Sequence, residues 1–231
     1  MPAASVVTGH FSRETFRFLA DLKKNNNTPW FDANKPRYEQ HVKAPALQFI
    51  RDAGPVLAKI SDQIVADPRP VGGSLFRIYR DTRFSQDKTP YKTHVGIHFT
   101  HRQSKGDAHA PGYYVHIEPG DSGVYAGVWH PEAEMLKRIR DRIVDKPQDW
   151  KKVRAASVGM WTEGESLKRP PAGYPPDHPF VEDLKRKDHV AQLTFDDVAF
   201  TRPEFMKTFE AACRKLEPMN VFVAKAMGAA W

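Results

Sequence analysis

Apolar residues recur at helical spacing near the start of the chain. Phe16, Leu19 and Lys23, with Thr15, Phe18 and Leu22, keep that period until Asn25, Asn26 and Asn27 break it. Ser12 suits an N-cap, and Phe11 with Phe16 forms the apolar pair that fixes a helix entry. A second helical stripe starts near Asn34, Lys35 and Pro36 and runs through Tyr38, Val42, Phe49, Ala53, Leu57 and Ile60. Pro45 and Pro55 each remove an amide donor, so this stretch is expected to be kinked or segmented.

The period then changes. Residues 74–80, 93–100, 112–118 and 124–130 are short runs rich in Val, Ile, Phe and Tyr, with alternation in three of them. Pro119, Gly120, Asp121, Ser122 and Gly123 form a turn too short for a helical crossover, which predicts antiparallel hairpins. Helical spacing returns with Met135, Leu136, Ile139 and Ile143, acidic residues leading and basic residues following as the helix dipole favours. Five prolines between 168 and 180 predict an irregular loop. Beyond it come a short helix over 181–187, a strand over 189–195, and helices over 203–216 and from 218 onward. The fold class expected is α+β: an antiparallel sheet of four to six strands covered by helices from both ends of the chain. Residues 11–231 are expected to form one domain after a flexible terminus over 1–10.

Composition narrows the class. One Cys in 231 residues excludes a disulfide-built module, and no run approaches the ~20 apolar residues of a spanning helix. Cys213 lies among Phe205, Met206, Phe209, Ala212 and Leu216 and reads as a buried thiol. Met1 to His10 carries no Lys or Arg ahead of its short apolar run, so no signal peptide is expected and a reducing cytoplasm is the expected setting.

Charge becomes informative once it is localised. Of the net +7, residues 69–105 carry +6, with eight Lys and Arg against Asp81 and Asp87. The densest part runs from Arg77 to Lys92. Guanidinium groups match carboxylate and phosphate oxygens bidentately, so Arg77, Arg80 and Arg83, with Lys88, Tyr91 and Lys92, are candidates for holding a small anionic ligand. Asp81 and Asp87 would orient those groups, and Trp129 and His130 are candidate wall residues. The alternative is that Asp81 and Asp87 pair with Arg80, Arg83 and Lys88 only to brace a strand-to-loop junction.

The run carried by Arg77, Arg80, Asp81, Arg83, Phe84, Asp87, Lys88, Tyr91 and Lys92 resembles the signature of a family of conserved hypothetical proteins, domain of unknown function 2461. The resemblance extends to Trp30 and Phe31 with Tyr38, to Gly112, Tyr113 and Tyr114, to residues 127–131, to the helix of Arg140, and to Pro171, Ala172, Gly173 and Tyr174 with Asp177, His178 and Pro179. It implies a family but no activity.

Other chemistries have weaker patterns. Asp81, Asp87, Glu118 and His130 are the catalytic candidates, with no nucleophile elbow, phosphate loop or dinucleotide fingerprint beside them. His98, His116 and Glu118, with His94 on the same strand face as His98, allow a two-His-one-carboxylate set, but the spacing is generic and no metal or cofactor is predicted. Nucleic acid is the second choice of partner after a small anion, since Tyr79, Phe84, Tyr91, Tyr113 and Tyr114 interleave with basic residues. No membrane partner is expected, and the pattern is silent on oligomeric state.

Overall fold

A computed structural model describes residues 9–104, 109–156, 159 and 164–231. The expected flexible terminus therefore lies outside the described residues apart from Gly9 and His10. His10 pairs with Asp52 at 2.7 Å. Lys105, counted in the basic stretch, also lies outside them.

Helix α1 (Arg13–Lys24) starts where expected, with the Ser12 amide donating to Thr15 Oγ1 at 3.1 Å. Phe11 and Phe16 both pack on the ring of Phe200. Helix α2 (Thr28–Tyr38) is capped by the Asn27 side chain and runs into a π-helical turn over Glu39–Lys43 before α3 (Ala44–Ala58). The segmentation has a local cause. Pro45 has no amide hydrogen for the carbonyl of His41, four residues back, and the hydroxyl of Thr15 on α1 donates to that carbonyl instead, at 2.7 Å.

Five strands follow in chain order, β1 (Ile64–Val65), β2 (Val95–His101), β3 (Gly112–Ile117), β4 (Ser122–Val128) and β5 (His189–Phe195). They form one sheet in the order β1-β2-β3-β4-β5, every pair antiparallel. Helices α4 (Ala133–Asp145), α5 (Pro147–Ala156) and α6 (Val181–Lys185) lie between β4 and β5 in the chain, and α7 (Asp197–Thr201) and α8 (Phe205–Ala226) follow β5. The fold is mixed α+β, a five-stranded antiparallel sheet flanked by helices.

Alternation divides the sheet into two faces. Val95, Ile97 and Phe99 of β2, Tyr113, Val115 and Ile117 of β3, Val124 and Ala126 of β4, and Ala191 of β5 point into a core shared with Phe49, Phe205 and Phe209. Helix α8 packs against β4, and the Tyr113 hydroxyl donates to the Cys213 carbonyl at 3.0 Å. Cys213 is fully buried, and burial drives its thiol pKa well above the usual value.

Three expectations need correction. Residues 74–80 form no strand: Leu75 and Tyr79 make isolated bridges to Ile97 and Tyr91, because the segment leaves the sheet edge and turns back on 90–92. From Phe76 to Asp81 the side chains still alternate, with Arg77, Tyr79 and Asp81 exposed and Phe76, Ile78 and Arg80 less so, and Arg80 pairs with Asp87. The two helices expected around Pro218 are one, because Leu216, Met219, Phe222 and Val223 on both sides of the proline are buried, and that burial outweighs the ~3 kcal/mol an interior proline costs. Helix α5 has no separate counterpart in the apolar pattern; Pro147 opens it and Trp150 anchors it. No helix among the described residues is long and apolar enough to cross a membrane.

Candidate functional site

The face of the sheet opposite the core carries unusual residues. Strand registry places Gly96, His116, Gly123 and Thr194 in one cross-strand row, His98, Tyr114, Tyr125 and Gln192 in the next, and Thr100, Gly112, Gly127 and Val190 in the third. A solvated sheet face normally shows Lys, Glu and Thr at such positions. Here glycines flank a row of rings. Tyr114 leans over Gly96, where a Cβ would lie 2.5 Å from its hydroxyl, and Tyr125 lies beside Gly123. Gly112 and Gly127 line a hollow beyond these rings, and a Cβ there would lie 2.1 Å from the Phe99 carbonyl oxygen and 2.0 Å from that of His189, so close strand approach requires glycine at both.

That hollow is a pocket of about 350 Å³ bounded by Phe76, His98, Tyr114, His116, Tyr125 and Trp129, with Ala110 and Val190 closing its apolar end. Phe76 reaches it because its amide bonds the Gly96 carbonyl at 2.9 Å, setting its ring beside His98 and Tyr114. Trp129 is 47% exposed at the rim, with the ring of His109 stacked on it and that of His130 set edge-on. His130 has φ 46°, its amide donating to buried Asp188 at 2.6 Å, a backbone strained so as to turn the chain sharply after β4.

The other end of the pocket is polar. His116 Nε2 lies 3.4 Å and His94 Nδ1 4.0 Å from Glu118 Oε2, and the two imidazole centroids are 4.4 Å apart. Glu118 Oε1 accepts instead from Lys23 Nζ at 3.1 Å and Thr93 Oγ1 at 3.3 Å. Burial raises the Glu118 carboxyl, but Lys23 and then His116 outweigh it and hold the pKa below the usual value. Burial, helped by the neighbouring His116 and Lys92, pushes His94 down to about 4 against the pull of Glu118. Donor atoms of His94, His116 and Glu118 all lie within 4.8 Å of one another, so among the described residues these are the ones placed to hold a metal ion. His94, not His98, completes that set; His98 sits one row away with Phe76 and Tyr114.

The residues of the basic motif lie elsewhere, on the loop beyond the 78–80 and 90–92 pairing. Arg80 bonds Asp87 and the Thr89 hydroxyl, while Asp87 accepts from the Thr89 amide at 2.9 Å. Arg83 holds Asp81 through two nitrogens, at 3.0 and 2.7 Å, which keeps that carboxyl at about 2. Lys88 Nζ donates to the Thr82 carbonyl and Lys92 Nζ to the Arg77 carbonyl, each at 2.8 Å. Arg77 is exposed, while Tyr91 is buried with its ring stacked on Phe31 at 4.1 Å. The motif thus makes two carboxylate clasps around one loop, with Phe84 exposed at its tip. Lys92 connects the loop to the pocket, its ammonium 5.7 Å from the ring of Phe76.

The profile of a family described as "Conserved hypothetical protein (DUF2461)" matches residues 14–222. The chain belongs to the DUF2461 family. No curated protein and no solved structure matches it. The family match spans both the clasped loop and the open sheet face. Sequence reasoning passed over Tyr125, Phe76 and the glycine floor of this DUF2461 protein. The signal of Tyr125 and the glycines is present in the outward positions of the strands, which read Gly, His, Thr in β2, Gly, Tyr, His in β3 and Gly, Tyr, Gly in β4.

Proposed function

We propose that this protein binds a small, flat molecule bearing a carboxylate or phosphate in the pocket on the open face of its sheet. The observation that carries this reading is the pocket of about 350 Å³ between aromatic rings and a glycine floor, apolar at Trp129 and Val190 and polar at His116. A concave, mostly apolar cleft with a few convergent polar groups is the usual form of a small-molecule site. The anionic group is assigned to Lys92, whose ammonium bonds the Arg77 carbonyl and lies 5.7 Å from the Phe76 ring, whereas Lys23 is paired with Glu118 and Asp121 also lines the pocket. The earlier expectation of anion recognition is kept, but its place moves from the arginine loop to the pocket, because the donors of Arg80 and Arg83 already bond carboxylates of their own loop.

The test is calorimetric titration and thermal shift with aromatic carboxylates and phosphate monoesters. Saturable binding is expected, weakened at least ~10-fold in Tyr125→Ala and Trp129→Ala and unchanged in Arg83→Ala. Binding that survives the first two substitutions and is lost in the third would place recognition on the loop.

A second reading rests on the 95% exposure of Phe84 with the Arg83 guanidinium 5.8 Å from its ring. An arginine beside an exposed aromatic ring is a stacking element for single-stranded nucleic acid. It requires micromolar binding of an oligonucleotide with a steep salt dependence, abolished in Phe84→Ala.

A further inference from the structure

Two imidazoles and one carboxylate converge where the apolar pocket ends, with His116 and Glu118 in a long hydrogen bond. The 3.4 Å between His116 Nε2 and Glu118 Oε2 is long for a charge-assisted hydrogen bond, which closes to about 2.7–2.9 Å. Bonds of about 2.0–2.1 Å to a tetrahedral ion place neighbouring ligand atoms about 3.4 Å apart. His94 Nδ1 lies 4.0 Å from the same oxygen, and with all three donor atoms within 4.8 Å of one another it must move inward to take the third corner.

The surroundings complete the case. Lys23 and Thr93 hold Oε1 of Glu118, so Oε2 is the oxygen turned toward the imidazoles, as when an outer partner orients a monodentate carboxylate ligand. The second nitrogen of His116, Nδ1, lies 3.5 Å from the Tyr114 hydroxyl, which leaves Nε2 as the nitrogen facing Glu118. The donors meet at one end of two antiparallel strands: His94 precedes β2, His116 lies on β3 and Glu118 follows it, and the β2–β3 pairing sets Gly96 opposite His116. No side chain at 96 intervenes.

We infer that His94, His116 and Glu118 bind one divalent first-row transition-metal ion at the polar end of the pocket, with coordination positions left open toward it. An N₂O set with imidazole and carboxylate suits Zn(II), Fe(II), Mn(II) or Co(II), and excludes the all-oxygen preference of Mg(II) and Ca(II). The inference goes beyond the pocket reading and stands without it, since it concerns the ion alone.

The experiment titrates tag-free, EDTA-treated full-length protein with Co(II), followed by its visible absorption, and with Zn(II) in competition with a chromophoric chelator. Expected are one equivalent bound at micromolar or tighter affinity and a Co(II) spectrum of low coordination number. Glu118→Gln and the double variant His94→Ala, His116→Ala should each weaken binding at least ~10-fold. His10→Ala, at a mostly buried histidine paired with Asp52 away from the cluster, should bind as wild type. Wild-type protein that takes up no equivalent overturns the inference whether or not the variants fold. Uptake that is unchanged in folded Glu118→Gln and His94→Ala, His116→Ala protein overturns it as well, because the ion then sits elsewhere. Failure of the carboxylate and phosphate titrations would leave these outcomes untouched.

Discussion

The amide of Gly127 donates a 2.8 Å buried hydrogen bond to Asn220 Oδ1, fastening the floor of the pocket to helix α8. Gly127 has φ 117°, and a Cβ there would lie 2.0 Å from the His189 carbonyl oxygen. Asn220→Ala leaves a buried donor without its partner and is expected to cost about 1–3 kcal/mol in urea unfolding. Gly127→Ala should cost more, since it adds a backbone clash to a conformation that L residues rarely adopt. Equal and negligible effects would show that the floor is not fixed in this way.

The two arginine clasps differ in what they hold. Arg83 and Asp81 are both mostly exposed neighbours, whereas Arg80 ties Asp87 and Thr89 to the base of the loop. Arg83→Ala is therefore expected to leave the melting temperature unchanged, and Arg80→Ala to lower it and to speed amide exchange over residues 81–89. The reverse ranking would contradict the bracing role assigned to Arg80.

His189 is wholly buried against Trp150, its Nε2 hydrogen donated to the Asp183 carbonyl at 3.2 Å. Burial, with Arg140 and Arg186 nearby, lowers its pKa to about 3 despite the opposing carbonyl. The unfolded chain takes up this proton near pH 6.5 and the folded one does not, so the contribution is full above that value and is lost as pH falls toward 3. The slope from this group is at most about 1.4 kcal/mol per pH unit. Denaturant titrations of wild type and His189→Leu between pH 7 and 4 should give a flatter profile for the variant. Parallel profiles would mean that His189 titrates alike in both states.

Tyr114 and Gly96 set the shape of the polar end. Gly96→Ala forces the Tyr114 hydroxyl, and the edge of Phe76 3.1 Å away, to give. A folded protein with a modestly lowered melting temperature is expected, at a cost of about 1–3 kcal/mol, and any ligand found for the pocket should bind it at least ~10-fold more weakly. Wild-type affinity in this variant would separate the binding site from the polar end.

The elements that bury a regular stripe were legible in the sequence. Strands β2 to β5 and helices α1, α3, α4 and α8 each present apolar residues at the period of their own geometry, so the α+β class and the antiparallel pairing followed. Residues 74–80 misled because their alternation comes from two bridges and a turn back, not from a paired strand. The motif around Arg80 drew attention through its charge, yet charge density does not distinguish donors that face a ligand from donors that meet a carboxylate seven residues away. The pocket was harder to read because glycines make it. A site formed by rings from three strands, seated beside glycines that let the strands and rings approach, becomes visible only once the register is known.

Backbone amide mapping by NMR tests most directly whether the open sheet face is where this protein meets its ligand. With the aromatic carboxylates and phosphate esters above added to uniformly labelled protein, saturable shifts are expected at Gly112, Tyr114, Tyr125 and Gly127 and at the Trp129 indole, with little change over residues 80–89. Shifts confined to residues 80–89, with the sheet face silent, would contradict the account.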